Sequence, residues 1–374
     1  MSEKLLSLCM IVRDEADTLG RCLASVNGVV DETIVVDTGS GDDTAAVARA
    51  HGAKIYDFQW TGSFAEARNY SLSKATGAWI LWMDADEALE PRDADALRQD
   101  VRTSSRQKLL YAETLHYIGS GRPDPRRAYR MAQHRVFPSG SGYAFEGAIH
   151  ERLIRDGAPA ADDAISLIPA IIHHFGYMDD IRQLKKKRER NLLMLQKEKQ
   201  SGCSDPWTDY HIAGELNGVG SYEDAFAAVN AAIAGALQSG QLPPNAFYRL
   251  KYAVLLASGN ERGAWPGIDR ALALYPDDVG LRFYKGVILS RNGQYGEAIK
   301  AFRTCLTLGE RCGPELTKAG IGSFRAYEFI GRCFKLLGDS VEANAAYRRA
   351  EAILVDYDET MKRLLQIEAG RIAT

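Results

Sequence analysis

Residues 80–87 read "ILWMDADE": four apolar positions, Ile80 to Met83, followed by three carboxylates, Asp84, Asp86 and Glu87, within four positions. A row of carboxylates repels itself unless a cation or a cationic side chain sits among them, so a buried strand that ends this way asks for a metal, a basic neighbour or solvent. Upstream, "LLSLCMIV" (residues 5–12), "ETIVVD" (32–37) and "AKIYDF" (53–58) are further strand-like runs, and "AWILWMD" (78–84) contains the quoted one. Helix-like stretches at 18–26, 42–51 and 64–75 lie between them. Strand and helix alternating at this pitch imply βαβ units and a mostly parallel, Rossmann-like α/β sheet. In such sheets ligands gather at the carboxyl ends of the strands, where Asp37, Asp84 and Asp86 would share one rim.

The chain has 374 residues, more than one core usually supports, so two domains are expected. A formal net charge of −3 gives no electrostatic case for nucleic acid or an anionic membrane as the main partner. The six cysteines (Cys9, Cys22, Cys203, Cys305, Cys312, Cys333) show no zinc or redox spacing, and several fall in apolar helical patterns where Cys acts as a small hydrophobe. The first apolar run is too short for a signal peptide, and no run approaches the ~20 residues of a membrane span. A soluble protein of the cytoplasm is expected.

Past Met178 the strand pattern stops. "DIRQLKKKRERNLLMLQKEKQ" (180–200) is a charged helix carrying Leu184, Leu192 and Leu195, and beyond Asp205 the chain repeats itself. Gly286, Leu289, Gly293, Tyr295, Ala298, Phe302 and Cys305 fall at steps 0, 3, 7, 9, 12, 16 and 19. The same steps run from Gly331 through Phe334, Gly338, Ser340, Ala343 and Tyr347 to Ala350, and from Ala213 through Leu216, Gly220, Tyr222, Ala225 and Val229 to Ala232. A looser copy starts at Tyr252, so the starts lie 39, 34 and 45 residues apart. Small residues let paired helices approach, glycine turns between them, and an aromatic fills the remaining gap. These units resemble the tetratricopeptide repeat, whose stacked copies form an all-α superhelix. The expected organisation is a catalytic domain at 1–177, a linker helix at 178–205 and a repeat domain at 206–374. Packing, a homodimer contact or an acceptor-binding groove are all open to the repeats.

"CMIVRDEADTLGRCLASV", "VVDTGSGDDT", "FAEARNYSL" and "WMDADE", in this order and spacing, resemble the family 2 glycosyltransferases of GT-A fold, and "HRVFP", "FEGAIHERL" and "IIHHFGY" continue the likeness. It is closest to the bacterial branch whose catalytic domain carries tetratricopeptide repeats. The resemblance implies transfer of a sugar from a nucleotide donor with inversion, assisted by Mn²⁺ or Mg²⁺. It implies that Val12, Arg13, Asp14 and Glu15 wall the nucleoside pocket and that Asp37 accepts a hydrogen bond from the base; a strand-end aspartate capping its own turn is the rival role. Arg68 and Asn69 of "ARN" would serve ribose and phosphate oxygens, although an arginine paired with Asp84 or Glu87 for stability fits the same pattern. Asp84 would reach the ribose, with Ala85 between it and Asp86, the metal carboxylate.

Inverting transfer needs a base on the acceptor proton and neutralisation of the leaving diphosphate. "GAIHERL" offers Glu151 as base and His150 toward the donor. "IIHHFGY", aligned as H-x-G-Y, makes His174 the metal ligand, with His173 as the alternative. Arg135 is expected on the diphosphate, residues 121–130 as a loop over the site, and Trp79, Trp82 and Met83 in the core. The likeness favours a UDP-sugar, of glucose or N-acetylglucosamine type. A polypeptide acceptor suits a repeat groove; a surface glycan or glycolipid intermediate is the other reading. Two further classes stand beside these: a repeat scaffold with an inactive transferase domain, and a nucleotidyltransferase. The second would want a glycine-rich, lysine-bearing phosphate loop that "CMIVRDEADTLG" does not contain.

Overall fold

The structure, a computed structural model, describes residues 4–160, 166–178, 181–200, 205–310 and 313–368. The chain forms two compact units: Met1–Pro123 with Arg130–Met178 make up most of one, and Asp124–Tyr129 with Asp179–Tyr357 the other.

In the first unit the runs read from the sequence become β1 (Leu6–Val12), α1 (Ala16–Ser25), β2 (Glu32–Asp37), α2 (Thr44–Ala50), β3 (Lys54–Asp57), α3 (Phe64–Leu72) and β4 (Trp79–Trp82). There follow β5 (Glu87–Leu89), α4 (Ala94–Thr103), β6 (Leu110–Ile118), β7 (Ala128–Pro138), β8 (Tyr143–Glu146), β9 (Arg152–Arg155), β10 (Ala158–Pro159) and β11 (Ser166–Tyr177). The main sheet runs β3-β2-β1-β4-β7-β6-β11-β5, while β10-β9-β8 form a small antiparallel sheet. Pairing is parallel from β3 through β4, as βαβ connections require, and β7 then joins β4 antiparallel. The sheet is therefore mixed: β7 on β4 and β5 on β11 pair antiparallel, while β11 runs parallel to β6.

Both faces of β1 are buried, which explains an apolar run broken only by the buried Ser7. Leu6, Leu8, Met10 and Val12 pack with Leu19, Cys22 and Leu23 of α1 and Leu97 and Val101 of α4. Cys9 faces the other way, with Ile34, Val36, Ile80, Trp82 and Ala65 of α3. Burial of each large side chain contributes about 1.5–3 kcal/mol, so these two layers dominate the unit's stability. Two registers place the site. β11 runs antiparallel to β5 with His174 opposite Glu87, and parallel to β6 with His174 opposite His116.

The second unit is helical: α5 (Ile181–Gln200), α6 (Pro206–Gly218), α7 (Tyr222–Gln238), α8 (Asn245–Ala257), α9 (Glu261–Ala264), α10 (Gly267–Leu274), α11 (Val279–Arg291), α12 (Tyr295–Leu308), α13 (Phe324–Leu336) and α14 (Ser340–Glu368). The repeat steps translate into contacts: a Cβ on Gly286 would lie 2.5 Å from the ring of Phe302, and one on Gly331 would lie 2.6 Å from that of Tyr347. The aromatic at step 16 thus occupies the space left by the glycine at step 0. Gly293 and Gly338, at step 7, turn the chain with φ of 78° and 83°, a conformation that favours glycine.

The run 121–130, expected as a loop, is divided between the two units. Its residues Asp124–Tyr129 belong to the helical unit, where the amide of Ala319 donates to Ala128 O at 3.0 Å, Arg325 donates to Arg126 O at 2.6 Å and Arg126 meets Glu328 at 3.3 Å. Backbone carbonyls that no local ladder satisfies have found partners there. Among the described residues, no helix is long and apolar enough to cross a membrane.

Candidate active site on the carboxylate rim

The three carboxylates that open the question each face a different cation. After β4 the chain turns through Asp84, Ala85 and Asp86, closed by the Glu87 amide donating to Asp84 O at 3.1 Å and the Asp84 amide donating to Glu87 Oε2 at 2.9 Å. Glu87 points inward and receives both arms of Arg135, at 2.6 and 2.9 Å, with each side chain about 1% exposed. Such a forked pair satisfies the desolvated charges on both sides. Asp84 is 36% exposed at its side chain and accepts from Arg68 Nη2 at 2.8 Å. Asp86 has its Oδ1 3.4 Å from His174 Nε2.

Arg68 joins two of the candidate groups. Ser63 caps α3 by accepting from the Glu66 amide, which fixes the helix that carries Arg68. The guanidinium bridges Asp84 and Glu151, lies 4.5 Å above the Trp82 ring, and keeps its Nη1 buried without a hydrogen-bond partner among the described residues. Glu151 reaches it from the loop between β8 and β9. There His150 has a left-handed φ of 50° and stays exposed, while Glu151 turns inward to a side-chain exposure of 13%. The adjacent pair thus divides between solvent and site.

The two histidines of β11 divide as well, because successive strand residues face opposite sides. His173 is buried, stacks on Tyr117 and shares a 2.9 Å hydrogen bond with its hydroxyl. His174 lies beside Asp86 on one side, and its Nδ1 is 2.9 Å from Nδ1 of His116 on the other. Burial opposes charge on His174, but Asp86, Glu87 and Asp84 outweigh it and raise its pKa to about 8. His116 is pushed well below 6.5, by burial and then by His174. Gly176 makes room here, since a Cβ at that position would fall on the Asp86 carboxylate.

A divalent cation fits this corner. Among the described residues no three His, Cys, Asp or Glu side chains already surround an ion site, but a carboxylate and an imidazole side by side are two donors. Mn²⁺ and Mg²⁺ commonly take few protein ligands and leave their other positions to water and phosphate oxygens.

The nucleoside-pocket candidates sit at the ends of β1 and β2 and are tied together. Asp14, with φ of 54°, accepts from the Gly41 amide at 2.7 Å, and its own amide meets Ser40 Oγ at 3.0 Å. The Glu15 amide meets Thr44 Oγ1 at 2.7 Å. Val12 is buried in the core and Arg13 is exposed. Asp37 takes up the rival role with one oxygen, Oδ1 accepting from the Gly39 and Ser40 amides at 2.9 and 2.8 Å.

Two expected contacts are placed elsewhere. Asn69 gives both ends of its amide to the Phe145 backbone, at 2.8 and 2.7 Å, and so fastens β8 to α3 instead of facing a ligand. Arg135 supports the carboxylate turn from below, with its charge spent on Glu87, and does not face a diphosphate. His116, which sequence reading passed over, joins the site through the β6–β11 register, a relation that no local motif records. Ala85 is buried and acts as the spacer of the turn.

Comparison with known proteins bears on the family of each part. The glycosyl transferase family 2 model matches residues 7–103, and a tetratricopeptide-repeat model matches residues 268–300. A TPR repeat-containing protein of Synechococcus elongatus is 32% identical over 73% of this chain and 66% of its own length. An uncharacterized glycosyltransferase of Rickettsia felis is 34% identical over 28% of this chain and 37% of its own, and glycosyltransferase SunS of Bacillus subtilis is 24% identical over 58% and 50%. The aligned regions thus span between 37% and 66% of these relatives. Residues 7–103 are thus a family 2 glycosyltransferase domain, and the helical part contains a tetratricopeptide repeat.

Proposed function

We propose that this protein is an inverting glycosyltransferase that moves a sugar from a UDP-sugar, of glucose or N-acetylglucosamine type, to a polypeptide acceptor. One observation carries the reading: Arg68 ties Asp84, on the donor side of the rim, to Glu151, the only carboxylate of the acceptor-side loop "GAIHERL", while Asp86 and His174 stand together next to them.

Asp86 and His174 would hold the cation, which when bound neutralises charge on the donor diphosphate. Asp84 and the loop 12–15 bind ribose and base, with Asp37 free to use Oδ2 toward the base. Glu151 takes the proton of the acceptor nucleophile as that atom bonds to the anomeric carbon, from the side opposite the diphosphate. The bond from the anomeric carbon to the diphosphate oxygen breaks, the electron pair leaves with the nucleoside diphosphate, and the configuration inverts. Arg68 orients Glu151 for this step. The polypeptide acceptor is supported by the repeat unit, since superhelical surfaces suit extended chains.

Calorimetric titration with UDP, with and without Mn²⁺, tests the donor half. Binding is expected to need both Mn²⁺ and Asp86, and to vanish in Asp86→Ala. Glu151→Gln is expected to keep UDP binding and to lower transfer by about 10²–10⁴-fold. Equal UDP affinity with and without metal in the wild type would refute the cation assignment, and undiminished transfer by Glu151→Gln would refute the base.

A further inference from the structure

We propose that His116 is a positioning residue for the cation: its Nδ1 accepts the Nδ1–H of His174 and so presents the His174 Nε2 lone pair toward Asp86. The inference rests on the reading of Asp86 and His174 as cation ligands.

β6 and β11 pair in parallel with His116 opposite His174, so the two rings emerge on the same face of the sheet. Their centroids are 4.8 Å apart at 74°, and the two Nδ1 atoms are 2.9 Å apart. Two lone pairs cannot face each other at that distance, so one nitrogen carries the proton. A neutral imidazole has one N–H, and a ring that ligates through Nε2 keeps its proton on Nδ1. His174 Nε2 is the atom nearest Asp86, at 3.4 Å. Its Nδ1 is then the donor and His116 Nδ1 the acceptor.

The same assignment puts the His116 proton on Nε2, which is buried and has no hydrogen-bond partner among the described residues. An unpaired buried N–H costs stability. The fold thus tolerates a donor without a partner at His116, in the tautomer that leaves His174 Nε2 open. The Tyr177 ring, 5.1 Å from that of His174 and 6.3 Å from that of His116, walls the pair and restricts other ring orientations. Partners that orient metal-bound histidines in this way commonly change metal affinity by 10–100-fold when removed.

The test measures Mn²⁺ binding by electron paramagnetic resonance on the full chain, for the wild type, His116→Leu, His116→Asn and Asp86→Ala. His116→Leu keeps bulk but has no acceptor and is expected to weaken Mn²⁺ binding about 10–100-fold. His116→Asn, whose Oδ1 can stand where Nδ1 stood, is expected to restore most of it. Wild-type affinity in His116→Leu, with binding lost in Asp86→Ala, would overturn the role of His116 and leave the cation site standing. Absence of Mn²⁺ binding by the wild type would overturn both. A second measurement avoids variants: ¹⁵N shifts of wild-type protein loaded with Mg²⁺ are expected to show His174 protonated at Nδ1 and His116 at Nε2. A His174 proton on Nε2 would overturn the proposal.

Discussion

The carboxylate rim of the sheet unit and the core of the repeat unit spend their buried groups in opposite ways. In the repeats, Gly286 against Phe302 and Gly331 against Tyr347 fill space with apolar matter, and shape is what the residues supply. On the rim, Glu87, Arg135 and Arg68 are buried charges, two histidines touch through their ring nitrogens, and Arg68 and His116 each hold a polar atom without a partner among the described residues. Buried charge stabilises less than buried apolar area, and unpaired polar atoms cost stability outright. The difference teaches that the rim keeps buried charge which folding alone does not reward, whereas the repeat core is shaped for folding.

That contrast is open to attack, most strongly at Arg135. Arg135→Met leaves Glu87 buried and uncompensated and is expected to cost roughly 3–5 kcal/mol in chemical denaturation. A loss under about 1 kcal/mol would mean that the pair is not the foundation of the turn. Gly176→Ala should do the reverse, displacing the Asp86 carboxylate and weakening Mn²⁺ binding about tenfold or more while stability stays within about 1 kcal/mol. Calorimetry with Mn²⁺ and UDP would show this, and unchanged affinity would separate Gly176 from the cation corner.

The rim histidines also give metal-free protein a narrow pH range. His174, raised to about 8, stabilises the fold fully below its unfolded pKa near 6.5, and this contribution of roughly 2 kcal/mol is lost as pH rises through 8. Burial depresses His116, and it brings His134, aided by Arg135, down to about 4. Below pH 6.5 the unfolded chain takes up protons that these two refuse, so each removes about 1.4 kcal/mol per pH unit, for His134 down to pH 4. Stability measured against pH is expected to peak near 6.5, and His174→Gln should flatten the alkaline limb; a limb that persists in that variant would assign it to another group.

The smallest expected effect lies in the repeats. Gly286→Ala gains about 1 kcal/mol of helix propensity but forces a methyl against the fully buried Phe302 ring, an overpacking cost of about 1–3 kcal/mol. A net destabilisation of about 1 kcal/mol with unchanged UDP affinity is expected. If donor affinity moved with it, the two regions would not be independent.

Much of this was legible in one dimension. The strands from Leu6 to Trp82, the helices between them and the four repeat copies all announce themselves by local period, because burial of a strand or a helix face is written at spacings of 2 or 3.6. Asp84, Asp86, Glu151 and His174 were reachable as ordered motifs. Asn69 and Arg135 were misplaced because a motif names a residue without its direction: the Phe145 backbone claimed the amide and Glu87 claimed the guanidinium. The partners of residues 124–129 were out of reach of any local motif, since they lie some two hundred positions away at Ala319, Arg325 and Glu328.

The amino-acid sequence by itself determined the division into a sheet part and a repeat part, the order of the early strands, and the clustering of carboxylates at one strand end. Only the tertiary structure decided which cation answers each carboxylate: Arg68 for Asp84, His174 for Asp86 and Arg135 for Glu87. It also brought His116 to His174. The reason is physical. Local periodicity reports which side of an element is buried, whereas the pairing of charges depends on strand register across distant segments: a shift of one residue in β6 would turn His116, and one in β11 His174, to the other face of the sheet.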